Sequence, residues 1–185
     1  MTSRAVAEIV AAELLEVLGA SCERIVVAGS LRRGAAEVKD VELVALPRLG
    51  VDLLGQPRPD DCELTRAIER EVSGGRLRWR TETHPTPASL RTARRMWALV
   101  HVARDVRVDL FAVRPPAQWG AILAIRTGPA EYSQQLVTRC RDRGLRCEDG
   151  RLVDERGVTV PTSTEQSFIA ACGMPWREPS ARGAR

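Results

Sequence analysis

Gly29-Ser30-Leu31-Arg32-Arg33-Gly34 is followed, ten residues after Ser30, by Asp40-Val41-Glu42, and a third carboxylate, Asp109, lies far downstream in Arg107-Val108-Asp109. The glycines and serine suit a tight turn that opens a helix, where amide N–H groups and the positive dipole end face an anion. Two arginines follow, with planar forks that match phosphate oxygens. On a strand, Asp40 and Glu42 share one face, since side chains repeat every two residues. Adjacent carboxylates repel, so a hard divalent cation is their natural partner. If the strand bearing Asp109 neighbours theirs, three carboxylates could hold two metals about 3.5 to 4 Å apart. Such parts suit transfer of a nucleotidyl group from a triphosphate to a hydroxyl.

The elements that must position these residues are legible in part. Arg24 to Ala28 is a short β-branched run leading into the turn, with Ser30 expected near the N-cap. Asp40 to Leu46 and Val106 to Val113 read as strands, the second placing Arg107, Asp109 and Phe111 on one face. Ala5 to Leu18 has helical spacing at Val6, Ile9, Val10, Leu14, Leu15 and Leu18, with Gly19 as a stop. Pro47 to Asp61 reads as a loop, Glu63 to Val72 as a helix, and Arg76 to Arg80 as an alternating strand. Pro85 and Pro87 break the chain, and Arg95 to Val102 forms a hairpin with the strand that carries Asp109. Beyond Pro115-Pro116, helices are expected at Trp119 to Ile125, Glu131 to Arg143 and Thr164 to Ala171, the last capped by Ser163 or Thr162. A small hairpin sheet is expected between Leu145 and Val160, and Ser180 to Arg185 reads as a disordered basic tail.

Composition narrows the class without naming the chemistry. A chain of 185 residues, 44% hydrophobic, buries one good core or a domain with a small satellite. No apolar window is long enough for a membrane span, and the first twenty residues are amphipathic with charges throughout, so a soluble, cytoplasmic protein without membrane partners is expected. Net charge is +4, carried almost wholly by arginine, with Lys39 the only lysine; a GC-rich genome explains that bias as readily as phosphate recognition. Five scattered cysteines lack zinc-site spacing and read as free thiols. His84 and His101 lie outside the acidic motifs, and the four tryptophans read as core aromatics.

The ordered series resembles the DNA polymerase X family, the polymerase-beta-like branch of the nucleotidyltransferases. The turn, its spacing to Asp40 and Glu42, and Arg107-Val108-Asp109 all follow that family's pattern. Trp119 to Gly128 is similar to the family's segment ending Tyr-Phe-Thr-Gly, and Thr164-Glu165 with Trp176-Arg177-Glu178-Pro179 resembles the end of its C-terminal subdomain. The resemblance implies an α+β fold: a nucleotidyltransferase palm over residues 1–115, with a mixed sheet and helices on one face, then a small α/β thumb-like subdomain over 116–180 and a tail over 181–185. It implies that Asp40, Glu42 and Asp109 are catalytic and hold two magnesium ions, or manganese. It places Gly29, Ser30, Arg33, Val38, Lys39, Ile125, Arg126, Thr127 and Gly128 at the nucleotide, and Arg107 on the primer side.

The implied reaction adds a nucleoside monophosphate from a (d)NTP to the 3′-hydroxyl of a DNA end, as in DNA repair, by a monomer. Two departures bear on this. Glu42 stands where the family has aspartate, and Ile125-Arg126 replaces Tyr-Phe, which leaves sugar preference open. Few residues precede the turn, so helical DNA-binding domains are absent from this stretch and a partner protein is expected to supply grip on DNA. Two other readings stand beside it: a transferase acting on RNA, protein or a small molecule, and a catalytically weakened module that binds nucleotide or DNA.

Overall fold

The computed structural model describes residues 1–80 and 96–183; His84, Pro85 and Pro87 lie outside them. The order of elements is β1 (Thr2–Ser3), α1 (Arg4–Gly19), β2 (Cys22–Val27), α2 (Gly29–Arg32), β3 (Glu37–Val38), β4 (Val41–Pro47), β5 (Leu49–Val51), β6 (Pro57–Cys62), α3 (Glu63–Ser73), β7 (Leu77–Trp79), β8 (Met96–His101) and β9 (Val106–Ala112). There follow α4 (Trp119–Thr127), α5 (Ala130–Arg141), β10 (Arg146–Glu148), β11 (Arg151–Val153), β12 (Thr159–Val160) and α6 (Glu165–Ala171). The chain is thus α+β, as expected. Two compact units are present, one of residues 1–27 and 36–112, the other of residues 28–35 and 113–185.

The first unit is built on a five-stranded sheet in the order β2-β4-β9-β8-β7. β4 and β9 are parallel and the other pairings antiparallel, so the sheet is mixed. Alternation explains its apolar face: Val106, Val108, Leu110 and Ala112 of β9 are buried, as are Val41 and Leu43 of β4 and Trp97 and Leu99 of β8. α1 and α3 touch each other and pack on β2, β4 and β7. α1 buries Ala7, Val10, Ala11, Leu14 and Leu18, a stripe one residue away from the expected Ile9, which is exposed. The expected loop from Pro47 to Asp61 is instead the antiparallel hairpin β5-β6. Its turn is held by Asp52 Oδ1, which accepts from the Leu54 and Gln56 amides at 2.8 and 2.9 Å, with Gly55 at φ +74°.

In the second unit, α4, α5 and α6 enclose a core of Ala121, Ala124, Tyr132, Leu136, Leu152, Phe168 and Ile169, beside the antiparallel sheet β10-β11-β12. Gly120 is required where α4 meets the segment leading into α6, since a Cβ there would lie 2.0 Å from the Thr164 carbonyl oxygen. The cap of α6 is Thr164, not Ser163 or Thr162: its side chain accepts from the Ser167 amide at 3.0 Å, and the Ser167 hydroxyl accepts from the Thr164 amide at 3.1 Å. Cys140 and Cys172 form a disulfide with Cα atoms 4.4 Å apart, which corrects the expectation of five free thiols. Their 32-residue separation hid a pair that only the packing of α5 beside α6 brings together. Of the expected loose tail, Pro179–Ala181 forms a 3₁₀ turn and the Arg182 side chain is fully buried, while residues 184–185 lie outside the described residues.

Candidate functional site

The candidate residues divide between the two units. In the first, β4 and β9 run side by side with Glu42 opposite Asp109, so these carboxylates share one face of the sheet. Asp40 lies just before β4 rather than within it. The row continues outward: Asp109 pairs with Ala98 on β8, and the Ala98 carbonyl accepts from the Arg80 amide at 3.0 Å. Across the small Ala98 methyl, Arg80 Nη1 reaches to 2.7 Å from Asp109 Oδ1. That approach is a charge contact off the axis of a hydrogen bond, and Oδ1, although buried, accepts no aligned hydrogen bond among the described residues.

Burial, and next the charge of Asp109, push the Asp40 carboxyl above its ordinary value, against the opposing pull of Arg80, Arg107 and Lys39. Among the described residues no three His, Cys, Asp or Glu side chains form a ready metal cage. Asp40, Glu42 and Asp109 offer only carboxylate oxygens, the donor type that a hard cation such as magnesium or manganese takes. Arg107, two residues before Asp109, is exposed, as is Lys39, whereas Val38 is buried in the short pairing of β3 with β1.

The second unit holds the turn. Gly29 adopts φ +63° and Gly34 φ +81°, left-handed conformations that only glycine takes without strain, so both glycines of the motif are accounted for by the backbone. Ala28 occupies the N-cap, and Ser30 sits inside the first turn rather than at the cap. The first intrahelical bond is Arg32 N–H to the Ala28 carbonyl, which leaves the amides from Gly29 to Leu31 ahead of it. Arg33 donates to the Thr127 carbonyl at 2.8 Å. Arg32 donates to the Thr127 hydroxyl at 2.6 Å and spans both oxygens of Glu165 at 2.9 and 2.8 Å.

Glu165 also accepts from Arg182, whose guanidinium lies 5.5 Å from the Tyr132 ring centroid and 4.9 Å from that of Trp176. Burial would raise the Glu165 carboxyl, but hydrogen bonds and charge from Arg32 and Arg182 outweigh it and hold the group below its ordinary value. Thr127 is wholly buried in this network. Gly128 is half-buried, with space for a Cβ closed by the Tyr132 ring at 2.9 Å. Ile125 is half-buried against the core and its carbonyl accepts from Ser133 at 2.9 Å, while Arg126 is exposed.

Sequence reading missed Arg80, Glu165 and Arg182 as members of charged clusters, whereas an ion-pair role was open to either arginine of the turn and Arg32 takes it. The alternation of Arg76 to Arg80 signalled three arginines on one face, but not which strand that face would meet. Arg182 carried no signal. Cysteine chemistry finds no support in the first unit, where burial and then Cys62 push the Cys22 thiol up to about 12, away from a reactive thiolate.

The fold and this site define a class: an α+β chain that sets carboxylates on parallel neighbouring strands and carries a small helical unit with a three-stranded sheet C-terminal to them. Residues 122–183 match the family model described as DNA polymerase beta thumb, so the C-terminal part of the chain is similar to that thumb and supports kinship with polymerase-beta-like proteins. No curated protein matches the chain. Among the described residues no helix is long and apolar enough to cross a membrane.

Proposed function

We propose that this chain is a metal-dependent nucleotidyltransferase of the DNA polymerase X type, which adds a nucleoside monophosphate from a (d)NTP to a nucleic-acid 3′-hydroxyl and releases pyrophosphate. The observation that carries the reading is the register of Glu42 with Asp109 on parallel strands, beside an Asp40 whose carboxyl is raised by burial and next by the charge of Asp109. The thumb match supports a role on nucleic acid, DNA first. In this reading residues 1–115 act as the palm and residues 116–180 as the thumb-like subdomain.

Asp40, Glu42 and Asp109 would hold two magnesium ions, with manganese as the substitute. Bound there, the ions would acidify the attacking hydroxyl and neutralise the triphosphate. The chain's own contribution is positioning. The amides that open the Gly29–Arg32 turn, with Ser30 and Arg33, receive phosphate oxygens. Asp109 takes the place nearest the 3′-hydroxyl and Arg107 steadies the primer-side phosphate. The hydroxyl oxygen forms a bond to the α-phosphorus, the bond to the bridging oxygen of pyrophosphate breaks, and the hydroxyl proton leaves to solvent or a neighbouring carboxylate. A nucleic-acid partner protein adds grip on the substrate.

The test incubates the protein with each labelled nucleoside triphosphate, in magnesium or manganese, on a primed duplex, a gapped duplex, a single strand or no nucleic acid. Extension of a 3′ end with equimolar pyrophosphate is expected. Nucleotide binding by calorimetry without pyrophosphate release on any acceptor would sink the proposal in favour of a binding module. Label on protein or a small molecule would move the reaction to a different acceptor.

A further inference from the structure

Arg80 is the one cation of the first unit seen in direct contact with Asp109 among the described residues. Its place follows from sheet register: Glu42, Asp109, Ala98 and Arg80 form a single row running across β4, β9, β8 and the end of β7. A side chain longer than alanine at position 98 would stand between Arg80 and Asp109. The neighbouring arginine on the same face, Arg78, behaves differently, since it pairs at 3.1 Å with Asp105, a carboxylate that is 85% exposed and remote from the row. The alternating strand thus spends one arginine on a surface pair and delivers the next to the carboxylates.

Two features suit the Arg80 contact to exchange. The side chains are only 30% and 17% exposed, so the charges are screened less than a surface pair. Yet the guanidinium approaches off the hydrogen-bond axis, and the buried Asp109 Oδ1 has no aligned donor among the described residues. An oxygen held by charge but not by a directed bond is open to a cation that binds along its lone pair.

Resting on the metal reading above, we propose that Arg80 is a positioning residue that serves as the resident counter-ion of Asp109, is displaced when a divalent cation binds, and thereby sets the site's metal affinity. Arg80 keeps the carboxylate oriented in the ion-free protein, at the cost of competing with the ion. Its removal therefore tightens metal binding, the reverse of what loss of a structural support would do.

The experiment titrates Mn²⁺ into the full chain without nucleotide and follows bound ion by electron paramagnetic resonance, with thermal melting of every variant as a check on folding. Arg80→Ala and Arg80→Gln are expected to bind Mn²⁺ about ten-fold more tightly than wild type, the scale of one partly screened unit charge. Arg80→Lys should return affinity toward wild type, and Arg78→Ala should leave it unchanged. Two folding-independent variants are used so that a misfolded alanine variant is replaced by the glutamine one. Equal or weaker binding in the folded Arg80 variants, with wild-type binding abolished by Asp109→Ala, would overturn this inference and leave the metal site standing. No saturable binding in wild type or in either Arg80 variant would overturn both the metal reading and the inference.

Discussion

Asp40 and Glu165 are both carboxylates close to arginines, one in each unit, and their surroundings push them in opposite directions. Glu165 is enclosed by Arg32 and Arg182 through directed hydrogen bonds, and its carboxyl is held low despite burial. Asp40 stands beside Asp109, with Arg80 in contact with that neighbour and aimed off axis, and its carboxyl is pushed up. In the second unit both Glu165 oxygens receive directed donors, which ties the Gly29–Arg32 turn to α6 and to Arg182. In the first unit the buried Asp109 Oδ1 has no aligned donor among the described residues, and an oxygen left in that state is a place for a cation. The same residue types therefore yield a structural network in one region and a candidate reaction centre in the other, the difference being whether each oxygen finds a directed donor.

The contrast breaks most visibly at Asp109. Asp109→Ala should lower nucleotide incorporation by about 1,000-fold or more, the scale on which preorganised electrostatic stabilisation acts, while the melting temperature stays near that of wild type. Steady-state primer extension checks it, and ordinary turnover in the variant would show that the row on the sheet is not the reaction centre. Glu165→Leu is expected to show the opposite balance. Leaving Arg32 and Arg182 without their shared acceptor should cost about 3 kcal/mol or more in urea unfolding, and any loss of activity should follow the loss of folded protein.

The two carboxyls should also give opposite pH slopes in the metal-free protein. Glu165, held low in the folded state, contributes stability that is present above its unfolded value and lost as the pH falls through the folded one. Asp40, held high, contributes stability that is present below its unfolded value and lost as the pH rises through the folded one. Unfolding curves across the acid range should therefore show a shallower acid decline in Glu165→Gln and a gain at neutral pH in Asp40→Asn. Each linked proton changes the slope by at most about 1.4 kcal/mol per pH unit. Slopes of the same sign in both variants would remove the distinction between the regions. The smallest effect belongs to the α6 cap: Thr164→Ala should cost about 1 kcal/mol, measured by thermal unfolding, and leave Mn²⁺ binding untouched.

Much of the sheet could be read from the chain because half-buried strands announce themselves by alternation. Val106, Val108 and Leu110 are buried in alternation as the pattern demands, with Phe111 on the opposite face also buried, and the run leading into Gly29 is the strand it looks like. The hairpin β5-β6 was hidden because its prolines, glycines and aspartates are turn chemistry, and here the turn residues also sit within the paired segments. Ser30 looked like a cap because serine favours that position, yet the left-handed Gly29 moves the helix start one residue earlier and leaves Ala28 there. Asp40 and Glu42 were readable as candidates from their spacing. Arg80 was not, because nothing local tells an alternating strand which residue lies two strands away.

By itself, the sequence determined which residues could carry the chemistry: the glycines that permit the turn, the acids with two-residue spacing, and the apolar periods that make strands and helices. Those are short-range properties, set by steric freedom, side-chain type and the geometry of one element. Only the tertiary structure decided that Glu42 faces Asp109, that Ala98 leaves room for Arg80 to reach the same oxygen, that Cys140 meets Cys172, and that Arg182 is buried on Glu165. Each of those joins residues distant along the chain, and their meeting depends on strand order and register, which arise from the packing of the whole unit.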